Sequence, residues 1–220
     1  MLRSSRFMRR WHKQATWFLV ILQIGLLFLH DAVVLANKNG GTVVAGSASI
    51  STQGSTLTVN QSTNRAVIDW QGFSIAPTET THFALPGSHA AVLNRVVGAG
   101  PSALQGTLTS NGQVFLINPN GIVISSTGRV NVSSFVASTL NVPNAEFMRG
   151  GDLNFSGSST AAIENYGRIS AREGDVFLLG ARVGNYGSIT APNGTAGLAA
   201  GQDMTLSTGN PHLTVRPTSR

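Results

Sequence analysis

The sequence predicts an all-β chain wound as a parallel β-helix, a solenoid of about 20 residues per coil. Three observations point there. Asn165-Tyr166-Gly167-Arg168-Ile169 recurs 20 residues on as Asn185-Tyr186-Gly187-Ser188-Ile189, and aligning 165–184 with 185–204 gives seven identities. Self-similarity at a fixed short period marks stacked repeats. Apolar or alternating runs of three to seven residues recur, each bounded by Gly, Asn, Pro or Ser, as strands are. Finally, only 11% of the 220 residues are charged, 25 are glycine and none is cysteine. No window from Asn37 onward keeps an apolar stripe at helical spacing, free of Gly, for three turns. Disorder is excluded by the low charge and the many β-branched residues. A disulfide scaffold, thiolate zinc sites and a cysteine nucleophile are excluded by the absence of Cys.

Taken in order, the N-terminus comes first. Residues 1–16 carry Arg3, Arg6, Arg9, Arg10 and Lys13 with no acid, and Trp17–Leu29 is apolar except for Gln23. Val34-Leu35-Ala36 follows, with small residues where a signal peptidase reads. The expectation is a signal peptide over 1–36 with a long basic n-region, cut between Ala36 and Asn37. The alternative is a retained anchor, for which a run of 13 residues is short of the ~20 a membrane span needs. The charge follows the same division. The chain carries 15 basic and 9 acidic residues, a net +6, with an isoelectric point near 11.1. Residues 1–36 hold five of those bases and one acid, so ten bases and eight acids remain, a net +2. The basic character belongs mainly to the leader, and no nucleic-acid partner is expected.

The mature chain is expected to form one domain over 37–206. Its strand candidates are Thr42–Val44, Ala66–Trp70, Ala91–Val97, Val114–Ile117, Ile122–Ile124, Val130–Val136 and Val176–Leu179. The less repetitive segment 37–83 is expected to cap the N-terminal end, because an open solenoid end exposes unpaired strand edges. Residues 165–204 form the two clear repeats, with Gly112–Ile117 an upstream echo of Gly174–Leu179. Ile169, Ile189, Val176 and Leu178 should point inward and stack coil on coil. Asn and Gly at the bends should supply left-handed backbone. About 184 residues at this period make roughly nine coils. Residues 207–220 read as irregular, an end that looks truncated rather than capped.

The centre of the chain carries a specific order of motifs: Ala66–Ile75, Val92–Val96, Gly106-Thr107-Leu108, Asn111–Ile117, Asn118-Pro119-Asn120-Gly121-Ile122 and Ala137–Leu140. This order resembles the N-terminal two-partner secretion (TPS) domain of the filamentous haemagglutinin family, over roughly Gly40–Leu206. The resemblance implies a right-handed, single-stranded parallel β-helix that is not an enzyme and needs no cofactor or metal. It implies passage through the Sec translocon and signal peptidase, then recognition by a cognate outer-membrane β-barrel transporter. It further implies folding outside a Gram-negative cell, where the domain would nucleate the β-helix of a longer adhesin or exoprotein that engages host or bacterial surfaces. The family's secretion motif maps onto Asn118, Pro119, Asn120, Gly121 and Ile122. The family's Asn-Pro-Asn-Leu motif has no copy here, which leaves a second recognition element unassigned.

Other features have plainer readings. Asn118–Gly121 is a turn by chemistry, since Pro presets φ for a turn's second position and Asn-Gly suits positive φ; it is either a folding corner or a surface the transporter reads. Trp70 and Phe73 are expected in a buried cluster rather than an exposed aromatic patch. Gly98-Ala99-Gly100-Pro101-Ser102-Ala103 fits a dinucleotide fingerprint only in letters, because no helix or acid follows at the needed spacing. Gly150-Gly151-Asp152-Leu153 is half of a calcium nonapeptide and reads as a loop. Arg168, Arg172, Glu173, Asp175 and Arg182 could form an exposed charged ridge. Two rival functions remain: a polysaccharide lyase or hydrolase on a pectin-lyase-like solenoid, and a membrane-tethered rod. Against catalysis, the only close acidic pair is Glu173 with Asp175, and His82, His89 and His212 are scattered.

Overall fold

The structure is a computed structural model that describes residues 40–208 and 213–217. The expected leader and its cleavage point at Ala36 and Asn37 lie outside the described residues. Strands β1 (Thr42–Ala45) and β2 (Ala48–Gln53) come first. β3 (Thr56–Gln61) and β4 (Arg65–Trp70) make the first parallel coil, and β5 (Thr80–Ala84) and β6 (Ala91–Val96) the second. β7 (Ser102–Leu104), β8 (Thr107–Ser110) and β9 (Gln113–Ile117) make the third. β10 (Ile122–Ile124), β11 (Arg129–Val132) and β12 (Ser134–Ser138) make the fourth. Helix α1 (Asn144–Arg149) and β13 (Leu153–Ser156) then leave the rod. The winding resumes with β14 (Ala162–Asn165), β15 (Arg168–Ala171) and β16 (Val176–Gly180), then β17 (Arg182–Asn185), β18 (Ser188–Thr190) and β19 (Ala196–Ala200). β20 (Asp203–Thr208) and β21 (Leu213–Pro217) end the chain's described structure.

These strands stack into three faces. One seven-stranded sheet runs β1-β4-β6-β9-β12-β16-β19, and a second runs β18-β15-β11-β8-β5-β3-β2. A four-stranded sheet, β17-β14-β10-β7, closes the third side. All pairings within them are parallel except those of β1 with β4 and β2 with β3. The fold is therefore a β-solenoid of about seven turns, not nine. The period explains the difference. It is 20 residues between Val176 and Ala196, but Arg65 pairs with Ala91, and Phe135 pairs with Val176 across α1 and β13. The segment 37–83 divides, with β1 and β2 antiparallel across the N-terminal end while β3–β5 already belong to the parallel stack.

Two cores result. Inside the rod, Val92, Val114, Phe135 and Val176 stack in register, as do Leu116, Ala137 and Leu178. The second core lies outside it. Val67, Leu93, Phe115, Val136 and Phe177 make the outer face of the first sheet apolar, and α1, β13 and β20 cover it with Phe147, Leu153, Phe155, Met204 and Leu206. Phe147 is fully buried, edge-on to Phe115 with centroids 5.2 Å apart, and the Arg65 guanidinium lies 5.2 Å from its ring centre. Burial pushes the Arg65 pKa below its ordinary value. Arg95 fixes the same element. Its guanidinium donates to Asn141 Oδ1 (2.8 Å), Asn144 Oδ1 (2.6 Å) and the Val142 carbonyl (2.8 Å), and pairs with Asp69 at 3.4 Å.

Two expectations need correction. The described residues after Leu206 are not irregular: β20 runs to Thr208 and pairs antiparallel with both β13 and β21. The six-residue α1 is too short to carry a three-turn apolar stripe and was not anticipated from the sequence. Asn at the bends does not take left-handed backbone, since no described non-glycine residue has positive φ. Gly167 and Gly187 are needed for close approach instead. A Cβ at Gly187 would sit 2.1 Å from the Gly167 carbonyl oxygen, and one at Gly167 would sit 2.5 Å from that of Gly128.

Candidate functional site: the Asn118 corner

The corner joins β9 to β10, and its first residue organises it. Asn118 is fully buried. Its backbone N–H donates to the Ser138 carbonyl (2.9 Å) on the following coil. Its side-chain amide donates to the Gly100 carbonyl (3.0 Å) and to Ser102 Oγ (2.9 Å) on the preceding coil. Its Oδ1 accepts from the Asn120 backbone N–H (2.9 Å) and from Asn120 Nδ2 (3.3 Å). Both donors and both lone pairs of the amide are thus used. The bond back from Asn120 is an Asx turn, the local geometry Asn favours.

The rest of the motif completes the bend. Gly121 has φ +106 and closes the turn by donating to the Asn118 carbonyl (3.1 Å). Its own carbonyl accepts from Ser102 N–H (3.0 Å). Ile122 is buried in the rod. Pro119 and Asn120 form the exposed tip, where Asn120 Nδ2 donates to the Gly98 carbonyl (2.9 Å) and Ser159 Oγ donates to the Pro119 carbonyl (2.6 Å). The segment Gly98–Ala103, set aside as a nucleotide fingerprint, is the tip's partner. It leads into strand β7, in register with β10, with Ser102 opposite Ile122. Sequence reasoning missed that role. The 20-residue spacing of Ser102 and Ile122 was the signal that could have found it.

The repeat residues sit elsewhere, at the other end of the four-stranded sheet. Asn165 is buried and donates through Nδ2 to Asn185 Oδ1 (2.7 Å), while its Oδ1 accepts from Gly167 N–H (3.1 Å). Tyr166 and Tyr186 stack at 4.9 Å with a 15° interplanar angle, both exposed. Desolvation first, and the nearby Glu164 second, raise the Tyr166 pKa above the ordinary 10.0. Ile169 is buried, and Ile189 is partly buried against the same core. The structure therefore groups the repeat residues with one another and keeps them apart from the Asn118 corner.

The remaining candidates resolve plainly. Trp70 and Phe73 are buried edge-to-face at 5.5 Å, and Trp70 Nε1 donates to Asn94 Oδ1 (3.0 Å). Gly150 and Gly151 both have positive φ and form the loop between α1 and β13. Glu173 and Asp175 do not act together: Asp175 is buried and accepts from Thr195 N–H (2.7 Å), while Glu173 is exposed. His82 bonds Thr109 Oγ1 (2.8 Å), and His212 lies outside the described residues. Among the described residues no three His, Asp or Glu side chains converge as metal ligands. No described helix is long and apolar enough to cross a membrane.

Parallel coils locked together at such corners place the chain in the class of β-helical proteins. The chain belongs to the two-partner secretion family, whose "TPS secretion domain" model matches residues 32–218. It is 33% identical over 185 residues to a heme/hemopexin-binding protein of Haemophilus influenzae, covering 80% of this chain and 20% of that protein. Among solved structures, the HMW1 secretion domain from Haemophilus influenzae is 34% identical with TM-score 0.73, covering 80% of this chain and 48% of that one. The filamentous haemagglutinin secretion domain, at 16% identity and TM-score 0.57 over 82% of this chain and 68% of that one, shares the fold. The chain thus spans about a fifth of the curated relative's length and about half of the HMW1 chain.

Family membership makes this the secretion domain of a filamentous haemagglutinin-like exoprotein, and favours that reading over the lyase and the tethered rod. It implies a cognate outer-membrane transporter and secretion through the outer membrane of a Gram-negative bacterium. The homologues are non-enzymatic in role.

Proposed function

We propose that the Asn118–Ile122 corner is the element on which export of this domain depends, first as extended chain read by the transporter and then as a fold-locking bend. The carrying observation is the bonding of Asn118, one side chain tied to the coil before and one backbone N–H tied to the coil after. In this reading the leader over 1–36 directs Sec passage and is removed between Ala36 and Asn37. Outside the cell the finished coils template further β-helix. Supporting that step, the sixth coil leaves inward-facing Leu198 45% exposed, while its in-register partner Leu178 is fully buried. Adhesion to host or bacterial surfaces belongs to the longer exoprotein that the resemblance implies.

Coexpression of the chain with its transporter tests the reading. The double variant Asn118→Ala/Asn120→Ala should vanish from the medium while a periplasmic species beginning at Asn37 persists. Export of the double variant at the normal level would overturn it.

A further inference from the structure

The outer face of the second sheet carries a groove of about 420 Å³ across β11, β15 and β18. Parallel register sets Arg129 opposite Arg168 and Asn131 opposite Ser170. Ser188 and Thr190 continue the two rows on the next coil. No carboxylate lines the groove. Both arginines are exposed, and neither makes an ion pair or side-chain hydrogen bond among the described residues. Neighbouring strands lie ~4.8 Å apart, and like charges directly opposite one another destabilise a strand pair. The register therefore sets two arginines side by side on neighbouring strands of one exposed face, with no described carboxylate lining the groove to neutralise them. A bound anion would relieve that repulsion, and the planar fork of arginine matches the paired oxygens of a tetrahedral oxyanion.

The rest of the groove narrows the ligand. Besides the core residue Ile169, its other lining residues, Asn131, Ser170, Ser188 and Thr190, carry neutral donors and acceptors repeating from coil to coil. Such rows suit the hydroxyls of a sugar chain laid along the rod. Aromatic side chains on which nucleobases could stack do not line it. We infer that this groove binds a saccharide bearing sulfate or phosphate ester groups, with Arg129 and Arg168 sharing one ester and the Ser/Thr/Asn rows holding the adjoining rings.

The test is calorimetric titration of the full chain at low salt with three hexasaccharides: sulfated, phosphorylated and unsubstituted. Either esterified probe should bind, and the tighter of the two identifies the ester. Arg129→Gln/Arg168→Gln should weaken that binding about tenfold or more. Arg149→Gln, on α1 over the opposite sheet, should leave it unchanged. The double variant removes a repulsion, so it should melt no lower than the parent, and Arg168→Lys should retain part of the affinity. Equal weakening by Arg149→Gln, equal binding of the unsubstituted sugar, or equally tight binding of a single-stranded oligonucleotide would overturn the inference. So would failure of both esterified probes to bind.

Discussion

Replacing Asn118 by Ala should destabilise the folded domain far more than replacing Asn120, although both belong to one motif. Asn118→Ala removes four hydrogen bonds and leaves the Gly100 carbonyl, Ser102 Oγ and the Asn120 backbone N–H without their partner. Three of those contacts are short and partly or fully buried, and each is worth about 1 kcal/mol net, more where a buried group is stranded. The loss is then about 3 kcal/mol. With a urea slope of about 2 kcal/mol/M, the denaturation midpoint falls by about 1.5 M. Asn120→Ala removes a solvent-exposed bond to the Gly98 carbonyl and a 3.3 Å contact to Asn118 Oδ1, so its loss is about 1 kcal/mol or less. Asn118→Asp keeps the shape but turns both donors into acceptors, facing the Gly100 carbonyl, and should cost at least as much as Ala. Urea denaturation of the three purified variants, followed by circular dichroism, measures this. A midpoint for Asn118→Ala no lower than that of Asn120→Ala would refute the assignment of Asn118 as the lock.

Three further outcomes are expected. Gly128→Ala would place a Cβ 2.2 Å from the Leu104 carbonyl oxygen, so the coils must part locally, at about 1–3 kcal/mol, seen as a lower melting temperature. Phe147→Ala empties the second core beside Phe115 and should cost about 3–5 kcal/mol, with limited proteolysis opening the 141–150 segment before the rod. In Tyr186→Phe, where Tyr166 is the one remaining tyrosine, alkaline titration by ultraviolet absorbance should give a midpoint above 10.0, moving down on Glu164→Gln. The raised value favours the neutral phenol in the folded state. Its stabilising contribution is full below pH 10 and is lost as pH rises through the folded pKa.

What the sequence disclosed follows from which faces are buried. The middle strands of the first sheet are covered on both sides, by the rod's interior and by α1, β13 and β20. Their sequences are near-continuous apolar runs, as doubly buried parallel strands require, and Ala66–Trp70, Ala91–Val97, Val114–Ile117 and Val176–Leu179 stood out for that reason. Strands of the second sheet face water on one side. Thr56–Gln61, Thr80–Ala84 and Arg168–Ala171 alternate Thr, His, Arg or Ser with one apolar residue, and such short alternation is lost among Ser/Thr-rich loops. The period was legible where all three faces keep it at 20 residues, between the fifth and sixth coils, whereas between the third and fourth it varies from 20 to 22. Helix α1 had signals of its own: Pro143 before it, Glu146 in its first turn, Arg149 in its last and Gly150 after it, the Pro-first, Gly-last asymmetry of helices. The corner's motif was legible as a turn, but its partners were not. Gly100 and Ser102 meet Asn118 only through coil stacking.

That dependence on stacking bears on how one motif can serve two purposes. In an extended chain Asn118–Ile122 is a short polar segment with every backbone and amide group free. In the solenoid the same groups are consumed: Gly98, Gly100 and Ser102 from the coil before, Ser138 from the coil after, and Ser159 from beyond the inserted helix. The lock therefore closes only when three successive coils are in register, and it closes over Asn118 while leaving Pro119 and Asn120 exposed. On the export reading proposed above, a partner that binds the whole motif must bind it before folding. Completion of the coils then withdraws Asn118 and its amide from that partner. Recognition and folding compete for one side chain, so variants at Asn118 should impair both steps, whereas variants at Asn120 should impair recognition with little effect on folding. Comparing transporter affinity for the unfolded chain with urea stability across the two sites separates the roles. Loss of stability at Asn118 with undiminished transporter binding would leave the motif a corner alone.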